Sequence, residues 1–273
     1  MIVVASLRRG PLKWLAVAAA AGGLVAGPAH GTVCTARSGP QTVPLVELYT
    51  SEGCNSCPPA DRWLSATFVR NAAGPAGIPL AFHVDYWDRL GWKDRFATPA
   101  YTDRQYDAMR ANRTRFVYTP QILVQGKDFP GWRGRAGTAA LASGSAAPAR
   151  AEITLEAEPQ RGLIAVKATA RVPSSADRKG AALYIALADN GLVSDVKAGE
   201  NAGVRLVHDH VVRLFRAGPS PDSNGDMRWD VALPVPAEAG SASTVVAFVQ
   251  NAGAGDVLQA LALPLTADCA PLR

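Results

Sequence analysis

Leu45-Val46-Glu47-Leu48-Tyr49, followed after four residues by Cys54-Asn55-Ser56-Cys57, is the stretch on which the reading of this chain turns. The first five residues are strand-like in pattern. Two thiols three positions apart fall on one turn when a helix starts there, so they can close a small disulfide or share a metal ion. If Cys54 lies at a helix N-terminus, unpaired backbone N–H groups and the helix dipole favour its thiolate. The thiolate is the form that attacks disulfides and binds metals. A buried structural pair is the competing reading.

Strand-like and helix-like segments alternate around this stretch. Leu45–Thr50 reads as a strand. Ala60–Arg70 reads as a helix, with Trp63, Leu64, Phe68 and Val69 roughly on one face, and Gly74-Pro75-Ala76-Gly77 breaks it. Ile78–Val84 is a second strand and Pro99–Asn112 a second helix, carrying Tyr101, Tyr106 and Met109. Gln121–Val124 is a short strand after Pro120, and Thr138–Ser143 a helix of small residues. Such alternation predicts an α/β layer structure over residues 30–145.

The character changes after about Ala146. Short β-patterned runs follow at Glu152–Glu156, Leu163–Ala168, Leu183–Ala188, Val204–Phe215, Met227–Leu233, Thr244–Gln250 and Val257–Leu263, separated by turn residues. They predict an all-β, sandwich-like domain over 146–273. Asp222-Ser223-Asn224-Gly225-Asp226 reads as a hairpin turn rather than a calcium loop, because no acidic residue closes it.

Residues 1–29 read as a signal peptide: Arg8, Arg9 and Lys13 precede an uncharged apolar run from Trp14 to Ala26, then small residues. A periplasmic or secreted protein follows, with no membrane span after leader cleavage. Of the formal net charge of +5 across 273 residues, three positive charges lie in that leader, which leaves +2. That balance gives no electrostatic case for nucleic acid binding. Export permits disulfides. If Cys54 bonds Cys57, the remaining Cys34 and Cys269 lie near the two mature ends and form a structural staple.

A strand running into Cys-x-x-Cys, then a helix, then X-Pro before another strand resembles the thioredoxin superfamily. The phrase from Glu47 through Cys54-Asn55-Ser56-Cys57-Pro58-Pro59 to Asp61 is more specific. With Phe82-His83-Val84-Asp85-Tyr86-Trp87-Asp88 and Tyr118-Thr119-Pro120-Gln121, it resembles a secreted bacterial thioredoxin-like family known only as a domain of unknown function. The resemblance continues through Gly199-Glu200-Asn201-Ala202-Gly203 and His208-Asp209-His210. It implies an α/β thioredoxin-like domain followed by the all-β domain, with Pro120 cis and facing the cysteines. Gly53 departs from the superfamily, where an aromatic often precedes the pair. Pro58 and Pro59 require an irregular or late-starting helix.

Within that frame Cys54, expected to be the more exposed, is the nucleophile and Cys57 the resolving thiol. Glu47, on the preceding strand, offers a carboxylate buried beneath the pair that shuttles a proton to Cys57, unless it is a solvated strand-end residue. Thr119 offers its backbone to an extended substrate. His83 ends a strand beside Asp85, as a hydrogen-bonded residue or as the third ligand of a metal site with Cys54 and Cys57. Tyr86, Trp87 and Trp92 wall a groove or pack as a loop. His208 and His210 are expected on one strand face.

The expected function is that of an exported thiol–disulfide oxidoreductase-like protein. It uses Cys54 and Cys57 opposite Pro120, needs no cofactor, and takes protein thiols and disulfides of the envelope as partners. The alternatives are a non-catalytic envelope binding or assembly module with a structural disulfide, and a copper- or zinc-handling protein using Cys54, Cys57 and His83.

Overall fold

The computed structural model describes residues 32–68, 77–133, 141, 147–238 and 240–265. The expected signal peptide, the helix at 138–143 and Cys269 lie wholly or mostly outside them. No helix among the described residues is long and apolar enough to cross a membrane.

The organising element is β2 (Leu45–Thr50), buried along its whole length. Its alternation sorts side chains to two faces. Val46 and Leu48 pack with Ala60 and Leu64 of α1 (Pro58–Phe68). Leu45 and Tyr49 pack on the opposite face with Tyr101 of α2 (Pro99–Ala111). Full burial of a side chain such as Leu64 contributes about 1.5–3 kcal/mol. On one edge β2 pairs in parallel with β3 (Ile78–His83). On the other it pairs antiparallel with β4 (Gln121–Val124), which turns back into the two-residue β5 (Lys127–Asp128).

The fold-class expectation fails at β3. An α/β thioredoxin-like domain followed by a separate sandwich would leave the free edge of β3 unpaired. That edge is instead taken by β11 (Val211–Ala217), through the Val211–Ala81 register and a bond from Ala81 N–H to the His210 carbonyl of 2.8 Å. Beyond β11 the same sheet continues through β8 (Ala181–Asn190), β13 (Ala242–Asn251) and β14 (Val257–Leu265). The result is one eight-stranded sheet in the order β14-β13-β8-β11-β3-β2-β4-β5, drawn from both halves of the chain. The described structure is therefore mostly β, with α1, α2 and a single turn at Ser175–Arg178 as its α-helices. A pattern of short strands fixes periodicity, not partner, and an open parallel edge is a ready partner.

A second sheet of four strands, β1 (Cys34–Arg37), β6 (Glu152–Gln160), β7 (Leu163–Arg171) and β12 (Asp226–Pro234), covers one face of the large sheet. Ile153, Leu155, Ile164 and Val166 interleave there with Leu183, Ile185, Val245 and Val249. The other face of those strands contributes Ala186, Ala188 and Phe248 to the core beneath α2. A hairpin of β9 (Leu192–Asp195) and β10 (Arg205–His208) leans on α1. The run expected at Val204–Phe215 is broken at His210, whose φ of +59° ends β10 and starts β11. His208 and His210 therefore share no strand face.

Candidate functional site

β2 delivers the chain into the loop Ser51–Cys57, and pairing of Tyr49 with Gln121 places the residues just before β4 beside that loop. Cys54 and Cys57 are joined by a disulfide, with Cα atoms 5.4 Å apart. The Cys57 N–H donates to the Cys54 carbonyl at 3.2 Å, closing a turn, and the helix begins directly after it. Pro58 and Pro59 fill the first helical positions, where a missing N–H costs nothing. Cys57, not Cys54, thus adjoins the helix start. Both cysteines are fully buried under the exposed pair Asn55-Ser56, so Cys54 is not the more exposed of the two.

Two hydroxyls reach Cys54. Thr119 Oγ1 donates to its Sγ at 3.4 Å, and Ser56 Oγ lies at 3.3 Å from the same sulfur. Because that sulfur carries no proton in the disulfide, the serine hydroxyl is the donor there too. Trp87 Nε1–H donates to Thr119 Oγ1 at 2.8 Å, so the threonine's own hydrogen is directed at the sulfur. The Thr119–Pro120 peptide is cis, as the resemblance implied. Trp87 also accounts for Gly53. A Cβ on Gly53 would lie 3.1 Å from Trp87 Cβ, so an aromatic from a different loop covers the position before the cysteines.

Behind the loop lies a buried cluster of acids and imidazoles. His83 Nδ1 meets Asp94 Oδ2 at 2.7 Å, both side chains fully buried; the expected neighbour Asp85 instead accepts from Thr102. Burial pulls the His83 imidazole down, but the Asp94 carboxylate overrides it and the net shift is upward. Burial likewise pushes Asp94 up, and His83 outweighs it, holding the carboxyl below its usual range. Asp94 Oδ2 also accepts the Glu52 N–H at 2.9 Å. Glu52 Oε2 accepts Trp92 Nε1–H at 2.7 Å, and its Oε1 lies 3.4 Å from His208 Nε2, close but misaligned for a hydrogen bond. Burial raises Glu52, and the contacts to His208, Ser194 and Trp92 bring it below its ordinary value. Asp61, one turn past Cys57 on α1, accepts from Thr50 Oγ1 at 3.2 Å, and burial raises its carboxyl. Among the described residues, no group of three or more His, Cys, Asp and Glu side chains is arranged to hold a metal ion.

Glu47 is neither solvated nor beneath the cysteines. Its position in β2 turns it to the α2 face, whereas Cys57 leads into α1 on the other. It is 1% exposed and receives Arg104 Nε at 2.7 Å and Nη2 at 2.6 Å. The Arg104 guanidinium lies over the rings of Phe82, Tyr184, Phe215 and Phe248. The proton-shuttle expectation for Glu47 is therefore corrected: its carboxylate is committed to a cation on the wrong side of the sheet. Cys34 begins β1, and its expected partner Cys269 lies outside the described residues.

The C-terminal half also enters the site. Asn201 Nδ2 donates to the carbonyls of Glu52 at 2.8 Å and Cys54 at 3.0 Å, and Glu200 Oε2 accepts the Asn55 N–H at 3.1 Å. Their sequence signal is the phrase Gly199–Gly203, but a contact spanning some 147 positions is not readable from it.

The family described as "Protein of unknown function (DUF1223)" matches residues 45–250, a span holding both the cysteine loop and the Gly199–Gly203 turn. The chain belongs to this family. Protein AGR_C_4864 from Agrobacterium tumefaciens, known from a crystal structure, is similar to the DUF1223 chain at 25% identity and a TM-score of 0.56. The match covers 83% of this chain and 96% of that one. HBP35 of Porphyromonas gingivalis is similar in fold at 14% identity and a TM-score of 0.59, over 85% of this chain and 77% of that one. None of the curated proteins compared with the chain matches it.

Proposed function

We propose that Cys54 and Cys57 form a reversible dithiol–disulfide pair, with Cys54 as the attacking sulfur, in a periplasmic or secreted protein that exchanges disulfides with other envelope proteins. The observation that carries this reading is the pair of hydroxyls aimed at Cys54 Sγ. A disulfide sulfur is a poor acceptor and gains little from two donors. A thiolate gains from both, because hydrogen bonds to an ionised acceptor are roughly twice as strong as neutral ones. Cys57 receives neither hydroxyl, so the arrangement distinguishes the two sulfurs.

In the reducing direction the Cys54 thiolate attacks one sulfur of a substrate disulfide. A Cys54–substrate bond forms, the substrate S–S bond breaks, and the first substrate thiolate leaves and is protonated. Cys57, deprotonated, then attacks Cys54 Sγ. The Cys54–Cys57 bond forms and the second substrate thiolate departs. The substrate disulfide is reduced to two thiols and the pair is oxidised; the reverse sequence places a disulfide in the substrate. Peptide from an exported chain is the substrate class that fits a site beside Thr119 and the exposed Asn55-Ser56.

The complete burial of both cysteines favours a second reading, a structural bridge in a binding or assembly module. A trapping experiment separates them. A Cys57→Ser variant incubated with a peptide disulfide should accumulate a covalent adduct at Cys54, and a Cys54→Ser variant should not. If neither variant forms an adduct while both remain folded, the bridge is structural.

A further inference from the structure

The turn Gly199-Glu200-Asn201-Ala202-Gly203 joins β9 to β10 and belongs to the half of the chain that carries no cysteine pair. It is tightly built. Gly203 N–H donates to the Val196 carbonyl at 2.9 Å and Val204 N–H to the Asn201 carbonyl at 3.0 Å. Gly199 and Gly203 have φ of +75° and +81°, where a side chain would be strained. A Cβ on Gly199 would lie 3.4 Å from Trp92 Cβ, and Trp92 is the residue that holds Glu52. The turn is thus fixed against the wall of the cysteine loop, and it presents two side chains to that loop.

Asn201 spends both amide hydrogens there, one on the Glu52 carbonyl and one on the Cys54 carbonyl. Glu200 takes the amide of Asn55. That amide matters because the turn over the disulfide has few. Pro58 and Pro59 have none, and the Cys57 N–H is used by the Cys54 carbonyl. Asn55 and Ser56 supply the two inner amides of the Cys54–Cys57 turn, and that of Asn55 is occupied by a carboxylate. The other charged groups around the loop have buried partners: Glu52 beside His208 of β10, Asp94 with His83 of β3, and Asp61 of α1 with Thr50. Glu200 is the exposed one.

We propose that this turn is a working part of the cysteine site: Asn201 positions Cys54, and Glu200 restrains its thiolate by occupying the Asn55 amide and setting a negative charge beside it. Glu200 thereby makes the pair less oxidising than the two hydroxyls alone would make it. A group that stabilises the reduced form raises the potential of a dithiol pair, and a group that opposes the thiolate lowers it. The inference rests on the exchange reading above.

The test compares Glu200→Gln with the full wild-type chain, using iodoacetamide and peptide-resolved mass spectrometry on the reduced protein. Removing the charge, with a neutral oxygen left to accept the amide, should lower the pH midpoint of Cys54 alkylation by about 0.5–1 unit, a roughly three- to tenfold gain in rate on the acid side. Added salt should move the wild type in the same direction and the variant less, because it screens the exposed carboxylate. A merely structural turn gives no such downward, salt-linked shift. Asn201→Ala should slow Cys54 alkylation at unchanged Cys57 alkylation; if it fails to fold, the Glu200→Gln comparison decides alone. An unchanged midpoint in Glu200→Gln overturns the inference and leaves the exchange reading standing. A wild-type pair that native reductant cannot open fails the exchange reading itself.

Discussion

Replacing Thr119 by Val removes the hydroxyl that donates to Cys54 Sγ at 3.4 Å and leaves a side chain of the same shape. A hydrogen bond to a charged acceptor is worth about 1.5–3 kcal/mol. Sulfur at this distance belongs at the low end of that range, and about 1.4 kcal/mol corresponds to one pH unit. The midpoint of Cys54 alkylation should therefore rise by about one unit, with a roughly tenfold lower rate on the acid side. The substitution also strands Trp87 Nε1–H, which donates to the same hydroxyl at 2.8 Å. Trp87 is only partly buried, so the stability cost should be about 1 kcal/mol, measured as a fall in urea midpoint. Thr119→Ser keeps the donor and should restore the midpoint. An unmoved midpoint in a folded Thr119→Val protein would refute the claim that this hydroxyl serves a thiolate.

Arg104→Met should strand the Glu47 carboxylate in a site 1% exposed and destabilise the fold by about 3–5 kcal/mol by urea denaturation; the Glu47→Gln, Arg104→Met double variant should recover most of it. Neither change should alter Cys54 alkylation, because Glu47 faces away from α1; a shift comparable to that of Thr119→Val would place it in the site after all. The His83–Asp94 pair makes a signed pH prediction. The folded-state value of His83 lies above its ordinary 6.5 and that of Asp94 below its ordinary 3.8. The stabilisation is therefore full between those ordinary values. It is lost as pH rises through the raised imidazole value, and as pH falls through the depressed carboxyl value. The stability difference between wild type and Asp94→Asn should be largest near pH 5–6 and shrink toward alkaline pH; a difference that grows with pH contradicts the pairing.

Local chemistry was legible in the sequence and long-range assembly was not. The strand Leu45–Thr50, the helix around Pro99–Ala111 and the strand Gln121–Val124 follow from periodicity and proline placement, and they stand where expected. The short β-patterned runs after residue 146 hold strands too, the one at Val204–Phe215 split in two at His210, but alternation says nothing about which edge a strand joins. Nothing in Val211–Ala217 announces that it pairs with β3 across some 130 positions. Glu47 was misread for a related reason. A lone acid in an apolar strand signals burial or an edge, and its partner Arg104 lies on a helix 57 positions away. Trp87 reaches Cys54 only through the Thr119 hydroxyl, and Asn201 through a bond to the Cys54 carbonyl, both from distant loops, which no spacing rule encodes.

The most direct test of the central claim is the equilibrium of the Cys54–Cys57 pair with glutathione redox buffers under native conditions, read by peptide-resolved mass spectrometry. The account predicts full reversibility, with a midpoint less negative than about −300 mV, the region below which structural disulfides lie. It also predicts that mixed disulfide with glutathione collects on Cys54 and not on Cys57. A pair that stays oxidised across the whole buffer range, or that opens only when the protein unfolds, would contradict it.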